Sequence, residues 1–328
     1  MPLNPRLIPH RIATIDGSTA TTTFTVKDAL PDIPVIQGHG VCNQQFIDLA
    51  PDAVEGTPLP CGRLLVADTL PDSDPQKELL LTYINDYTEF TGGEPISTFG
   101  GHDYDAMLWA TEALASLEDG RSLADRRTAI RDYVEGNITE WPGTGGIFNI
   151  TPDDHLGLEY TGLTFVKVQD GGYVYFPPEE WGGSIVEEAP AEEAPAATSE
   201  GAPYKIGFVA AITGPGSGLG VPERNTAEML AQQWKETGVV GPDGVAHPVE
   251  VIILDSESNP DSAASAVSRL INEEEVDVLV AGTLSGNSMA MVPLATEAEV
   301  PLISMAGFRL TVFTLFGTLV FGGLHSYG

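Results

Sequence analysis

The sequence predicts an α/β fold: a parallel-sheet three-layer sandwich, with helices on both faces of the sheet. Three observations carry this expectation. From Tyr204 to Gly307, short apolar runs alternate with amphipathic stretches, and such alternation implies a parallel sheet covered on both sides. Three of those runs end in glycine- or serine-rich turns, at Ala211–Gly220, Gly282–Ser288 and Ser304–Gly307. Finally, a stretch made mostly of Glu, Ala and Pro, Val186–Pro203, cuts the chain into two parts. It holds too little apolar surface to offset its ordering entropy and reads as a charge-extended linker.

Taken in order, the first part gives a strand over "IPVIQG", a second over "RLLVADTL", and a helix over "DPQKELLLTYINDYTEFTG". Two further helices follow, over "YDAMLWATEALASLEDG" and "LADRRTAIRDYVEG". "LTFVKVQDGGYVYF" reads as a hairpin turning at Asp170-Gly171-Gly172, because Asp-Gly is a strong signal for a two-residue turn. In the second part, "YKIGFVAA", "VEVIILD", "VDVLVAG" and "VPLISMAG" read as strands. Between them lie helices over "NTAEMLAQQWKETG", stopped by Gly238, over "DSAASAVSRLINEEE", opened by Asp261 as N-cap, and over "SGNSMAMVPLATEAE". No repeat of fixed period is visible.

Composition narrows the function. The 328-residue chain is long enough for two domains. Its 15 Lys and Arg face 47 Asp and Glu, a formal charge of −32. Without a basic cluster, neither nucleic acid nor an anionic membrane surface is an expected partner. The acidity reads as solubility, suited to a salty medium. Cys42 and Cys61 are the two cysteines; no metal-ligand spacing surrounds them, and a disulfide and two unpaired core residues both fit. The first residues lack a continuous apolar core and do not read as a signal peptide. The tail is apolar from Leu310 to Leu324, shorter than the ~20 residues that span a bilayer, and reads as a buried or misplaced segment.

The candidate sites are four. In the glycine loop, Gly214, Gly216, Gly218 and Gly220 alternate with other residues, which departs from the G-x-G-x-x-G of dinucleotide binding. Asp255, the acidic residue that would bind ribose, falls well beyond the usual ~20-residue spacing. Thr213 and Gly214 therefore read as the rim of a solute site or as a plain tight turn. In "AGTLSGNSMAM", Ser285 and Gly286 suit a carboxylate cradle at a helix start, although an N-cap serine fits equally. In "PLISMAG", small residues after a strand allow a ligand close to backbone carbonyls. Lastly, His39 lies between two glycines, placed for a cleft or for solvent. His102, Asp103 and Asp105 look like a metal or catalytic cluster, but Asp103 reads as an N-cap and Asp105 as a helix-start charge. His155 beside Asp153 and Asp154 reads likewise. No Ser/His/Asp order or Gly-x-Ser-x-Gly elbow supports a hydrolase. An enzyme, a metal and an organic cofactor are all unexpected; a nicotinamide-dependent oxidoreductase using Gly214–Gly220 is the enzymatic alternative.

The stretches "YKIGFVAAITGPGSGLG", "LDSESNPDSAASAVSRLINEEEVDVLVAG" and "SGNSMAMVPLATEAEVPLIS" resemble the opening third of the Leu/Ile/Val-type periplasmic substrate-binding proteins of ABC importers. "IPVIQGHGVCNQQFIDLA", "LPDSDPQKELLLTYINDYTEFTGGEPISTFGGHDYDAMLWATEAL" and "DDHLGLEYTGLTFVKVQDGGYVYF" resemble the same family's closing portion. The family order is thus reversed, closing part first, and its middle is missing. The resemblance implies residues 1–28 unassigned, 29–185 as the closing part, 186–203 as linker, 204–307 as the first lobe, and 308–328 as a tail. It implies a type I periplasmic-binding fold, permuted and incomplete, with both parts joined into one layered sheet and the second lobe mostly missing. It further implies capture of a branched-chain amino acid or similar small carboxylate or amide, delivery to a membrane ABC permease, and a periplasmic or membrane-tethered location. Ser285 with Gly286 would hold the ligand carboxylate and Ala306 would offer a carbonyl to its ammonium. Phe308 stands where the family has a hydroxyl, and His39 where an acidic residue pairs with the ammonium; both departures turn the expectation away from an α-amino acid. A fused or truncated fragment that binds nothing is the other alternative.

Overall fold

The computed structural model describes residues 39–158, 162–177 and 199–305. "IPVIQG" up to Gly38, most of the linker, and Ala306 onward lie outside the described residues. A 3-10 turn over His39–Val41 leads into α1 (Gln44–Leu49), capped where the Asn43 side chain accepts from Phe46 N. The one-turn α2 (Pro51–Val54) follows, then β1 (Pro58–Gly62). "RLLVADTL" is a correction: Arg63–Thr69 is 3-10 helix, and the strand comes just before it. Pro58 and Pro60 hid that strand. Proline is tolerated at a sheet edge, and β1 is the edge of the antiparallel sheet it forms with β4 and β5.

Helices α3 (Lys77–Thr91), α4 (Thr98–Ala115) and α5 (Leu123–Asn137) come next. The two-residue strands β2 (Trp141–Pro142) and β3 (Ile147–Phe148) pair with each other. The hairpin is as expected: β4 (Leu163–Gln169) and β5 (Gly172–Tyr175) run antiparallel around Asp170 and Gly171, both at positive φ, 51° and 79°. Two positive φ values are what this tight turn requires.

Helix α4 corrects the reading of "GGHDYDA". The helix begins at Thr98, with Ser97 accepting from Phe99 N, so Asp103 is no N-cap and Asp105 no first-turn charge. Gly100 and Gly101, inside this helix, are sites of close packing. A Cβ on Gly100 would lie 2.5 Å from the Tyr83 hydroxyl and 3.2 Å from the Pro222 carbonyl; one on Gly101 would lie 2.7 Å from Thr144 Oγ1.

In the second part, β6 (Ser199–Glu200), taken from the end of the expected linker, pairs with β9. β7 (Tyr204–Ala210) is followed by α6 (Ser217–Thr237), β8 (Val239–Val240), β9 (Val245–His247) and β10 (Val249–Asp255). Then come α7 (Pro260–Asn272), β11 (Val278–Ala281), α8 (Ser285–Glu297) and β12 (Leu302–Ser304). Helix α7 is capped by Asn259, which accepts from the N–H groups of Asp261 and Ser262, and not by Asp261.

β7, β10, β11 and β12 form one parallel sheet in the order β10-β7-β11-β12. Alternation along a strand sends successive side chains to opposite faces. Val209, Leu279 and Leu302 pack with Ala263, Val267 and Met291 of α7 and α8. Ile206, Phe208, Val280 and Ile303 join the larger core beneath α6 and α4. The first part therefore supplies α4 to the layer covering β11 and β12, and its faces are buried almost all round. Among the described residues the two parts share one core while their strands belong to separate sheets, with α4 as the bridge; the strand expected over "IPVIQG", the first part's candidate for a common sheet, lies outside those residues. Polar contacts reinforce it. Arg126 Nε donates to Asp277 Oδ1 at 2.6 Å, Arg127 Nη2 to the Val276 carbonyl at 2.8 Å, and the Tyr83 and Thr226 hydroxyls bond at 2.9 Å.

Candidate functional site

The C-terminal tips of β7, β10 and β11 give way to loops that run directly into α6, α7 and α8. In parallel sheets this edge is where ligands gather, because the helix N-termini there present unbonded N–H groups. The loops are fastened to each other before any ligand is considered. Asp255 Oδ1, at the end of β10, accepts from Ile212 N, Thr213 N and Glu257 N at 3.0, 3.2 and 2.7 Å, and Oδ2 accepts from Thr213 Oγ1 at 2.6 Å. Partial burial pushes the Asp255 carboxyl up, but these donors outweigh it and hold the group below its ordinary value. Ser258 Oγ accepts from Gly216 N and donates to the Thr213 carbonyl. Glu257 and Ser258 both sit at positive φ, 53° and 57°. Left-handed backbone at residues other than glycine is strained and persists where the surroundings over-determine it.

The adjacent β11–α8 loop is tied in the same way. Ala211 N donates to Thr283 Oγ1 at 2.8 Å, and Thr283 Oγ1 donates to Glu223 Oε2 at 2.5 Å. Burial raises the Glu223 carboxyl to about 8, against the single hydroxyl bond that lowers it. Beneath the loop, Asn287 Nδ2 donates to Ser256 Oγ.

Thr213 and Gly214 are exposed on this rim, and Gly214 takes φ 81°. A Cβ there would lie 2.8 Å from the Glu257 carbonyl, so the turn needs glycine. Gly218 and Gly220 are inside α6; a Cβ on Gly220 would lie 2.3 Å from the Ala211 carbonyl, which lets the helix start tight against the strand tip. The alternating glycines thus serve two jobs, one turn and one close helix approach. Asp255, engaged by four protein donors, lends nothing to a dinucleotide ribose.

Ser285 and Gly286 are exposed as the first two residues of α8. The cap position is Leu284, which offers no side-chain oxygen, so Ser285 is not the N-cap. The Leu284 side chain reaches to within 3.0 Å of where a Cβ on Gly216 would stand, so the glycine loop and the serine turn are neighbours. Ala306 and Phe308 lie outside the described residues. His39 is not solvated: it is 1% exposed, with its ring stacked on His102 at 5.4 Å and tilted against Phe99 at 6.0 Å.

Asp103 and Asp105 are buried in α4 and form no exposed catalytic set. Asp105 accepts from Thr144 N, Thr144 Oγ1 and Gly145 N; burial raises its carboxyl to about 7 against those bonds. His155 pairs with Glu135 at 3.1 Å, while Asp154 closes a turn onto Leu156 N and Gly157 N. Among the described residues, no group of three or more His, Cys, Asp or Glu is arranged to hold a metal, and no helix is long and apolar enough to cross a membrane.

Sequence reasoning missed Ser258, Thr283 and Gln45. The first was legible in "DSESNP", a run of residues that bond their own turns. Gln45 was not legible: it comes from α1 of the first part, yet its Oε1 lies 2.0 Å from where a Cβ on Gly218 would be, beside the start of α6.

Residues 203–323 match the periplasmic binding protein family. Among curated proteins nothing matches. Among solved structures, an extracellular ligand-binding receptor from Rhodopseudomonas palustris HaA2 is 24% identical over 50% of this chain and 46% of its own, with a TM-score of 0.45. The branched-chain amino acid transporter substrate-binding protein LivJ from Streptococcus pneumoniae, in complex with isoleucine, is 32% identical over 31% of this chain and 28% of its own, TM-score 0.29. The leucine-binding protein LivK from Thermotoga maritima MSB8 is 29% identical over 31% and 27%, TM-score 0.26. The chain spans less than half the length of these structures. The matched stretch, residues 203–323, takes in the parallel sheet of β7, β10, β11 and β12 with α6, α7 and α8, so the likeness to the periplasmic binding protein family lies in the second part of the chain.

Proposed function

We propose that the chain is a non-enzymatic solute-binding protein of the Leu/Ile/Val type, in which the rim formed by Thr213, Gly214, Ser285 and Gly286 is one wall of the ligand cleft. The observation that carries this is the serine turn. Ser285 and Gly286 open α8 exposed and without a side-chain cap, next to a pre-tied glycine loop. A helix start favours negative charge, so a small carboxylate, a branched-chain amino acid among them, or a small amide is the class of ligand it fits. Thr213 Oγ1, having donated to Asp255, faces a ligand as an acceptor. His39, buried against His102, does not supply the ammonium partner that an α-amino acid would want. On this reading the described residues make up a single lobe, so the ligand would be gripped from one side and affinity would be modest. Delivery to an ABC permease, in the periplasm or outside the membrane, follows from the same reading.

Titration calorimetry against leucine, isoleucine, valine, small carboxylates and small amides tests it. Saturable heat is expected with at least one ligand, and Ser285→Ala should weaken it by about 10- to 100-fold, the worth of one hydrogen bond to a charged group. No heat with any ligand would refute the proposal in favour of a fragment that folds and binds nothing.

A further inference from the structure

Two buried acids lie where the parts of the chain come closest. Asp103 is on α4, one turn beyond Gly100 and on the same helix face. Glu223, on α6, follows Pro222, whose carbonyl stands 3.2 Å from the position of a Cβ on Gly100. Both residues are 0% exposed. Neither oxygen of Asp103 has a hydrogen-bond partner among the described residues, and neither does Oε1 of Glu223. None of the ion pairs among the described residues includes either acid.

Among the described residues no cation acts on either acid: the charges that bear on Asp103 are the carboxyls of Glu223 and Asp105, and Glu223 has the Thr283 hydroxyl. From α3, Tyr83 and Tyr87 face the junction, and both are neutral phenols committed to Thr226 and Asn225. On α4, Asp105 is a third acid, answered by Thr144 and Gly145, and Tyr104 is half-way along the same buried stretch. On α6, Arg224 turns its guanidinium to Asn225 and Glu228. From the β11–α8 loop comes the Thr283 hydroxyl.

A buried unpaired carboxylate is costly, and the group neutralises itself when nothing pairs with it. We infer that Asp103 and Glu223 act as a proton-dependent latch between α4 and α6, holding the two parts of the chain together while they carry protons and loosening them when both are ionised. Burial first, then the neighbouring carboxyls of Glu223 and Asp105, push Asp103 well above the ordinary carboxylate range, in line with the value near 8 for Glu223. In the unfolded chain Glu ionises near 4.5. The folded pKa is raised, so the stabilisation is fully present below the unfolded value and is lost as pH rises through the folded one. A latch made in mild acid and weakened in mild alkali is the consequence.

The test is the melting temperature of the full chain from about pH 6 to 9, where ordinary carboxylates are already ionised. The wild type should lose stability steadily across this window. Glu223→Gln and Asp103→Asn, which keep shape and remove the titration, should each flatten the profile and melt at least about 2–4 °C above the wild type at its alkaline end. Because either variant can fail to fold, infrared spectroscopy of the wild type at neutral pH is the second arm. It should show the carbonyl stretch of a protonated buried carboxyl, fading as pH is raised through about 8. A flat wild-type profile, an unchanged slope in both variants, or the absence of that stretch would overturn the inference. So would restoration of alkaline stability by added calcium, which would assign the pair to a cation.

Discussion

If α4 is what unites the two parts, then one methyl group on Gly100 should pull them apart. Gly100→Ala places a Cβ 2.5 Å from the Tyr83 hydroxyl, 3.0 Å from Thr226 Oγ1 and 3.2 Å from the Pro222 carbonyl. Tyr83 cannot swing away: it is fully buried, with its ring against Tyr87 at 5.6 Å and Tyr104 at 5.0 Å. The Pro222 carbonyl is main chain. Helix α6 must therefore shift from α4, an overpacking cost of about 1–3 kcal/mol, and the buried Tyr83–Thr226 bond is stretched, adding about 1–3 kcal/mol if it breaks. Alanine returns at most about 1 kcal/mol in helix propensity. The net expectation is a loss of about 1–4 kcal/mol. Gly136→Ala is the internal control, because Gly136 is also inside a helix, α5, and nothing lies within 4 Å of its Cβ position. That variant should gain up to about 1 kcal/mol. Urea unfolding of wild type and both variants reads the comparison directly. Equal stability of Gly100→Ala and Gly136→Ala would refute the close-packed junction.

Other outcomes follow from single residues. Cys42 and Cys61 are bonded in the structure, with Cα atoms 5.8 Å apart and a separation of 19 residues; protein purified in oxidising buffer should show no reactive thiol when denatured, and reduction should cost about 3 kcal/mol in a loop of this size. Asp255→Ala should expose the Ile212 and Thr213 amides to faster hydrogen exchange, while the wild-type loop, whose Asp255 pKa is depressed below 3.8, should keep its protection above that value and lose it only as pH falls below it. Unchanged exchange would show that the loop does not depend on Asp255. Gly220→Ala, which drives a Cβ to 2.3 Å from the Ala211 carbonyl, should destabilise by about 1–3 kcal/mol; neutrality would mean that the start of α6 is not seated on the strand tip. Finally, a chain of formal charge −32 should melt higher as salt screens its self-repulsion, read by scanning calorimetry in rising NaCl.

The second part was legible because its signals are local. "VEVIILD" and "VDVLVAG" are apolar runs long enough for a buried strand, and each is bounded by a turn, so their pairing with "YKIGFVAA" required no knowledge of distant residues. The first part was less so for identifiable reasons. Pro58 and Pro60 masked an edge strand, and the Arg63–Thr69 run, apolar enough for a strand, winds instead as 3-10 helix under α3. The helix expected from Tyr104 starts at Thr98 and takes in Gly100 and Gly101, whose purpose, room for Tyr83 and Thr144, is set by partners remote in sequence. The same holds at the site. Thr213, Gly214, Ser285 and Gly286 announce themselves by residue type after strands, but the burial of His39 depends on α4, which nothing around "QGHGVCN" foretells.

The union of the two parts makes one last prediction, about chain connectivity. Without α4, Val280 of β11 and Ile303 of β12 would face water; in the structure both are buried in the core they share with Met107, Ala110 and Leu114 of that helix. Burying a large aliphatic side chain is worth about 1.5–3 kcal/mol, so this face alone gives the parts a strong reason to stay together. The Arg126–Asp277 pair adds to it, with Asp277 buried and its other oxygen taking Lys205 N. What holds the parts is then contact and not covalent linkage. A protease site inserted after Pro195 and cleaved to completion should leave a complex that migrates as one species on a native gel and separates only in denaturant. If the fragments part spontaneously after cleavage, the shared core is too weak to make residues 39–177 and 199–305 one folded unit, and the two parts would be neighbours on a string.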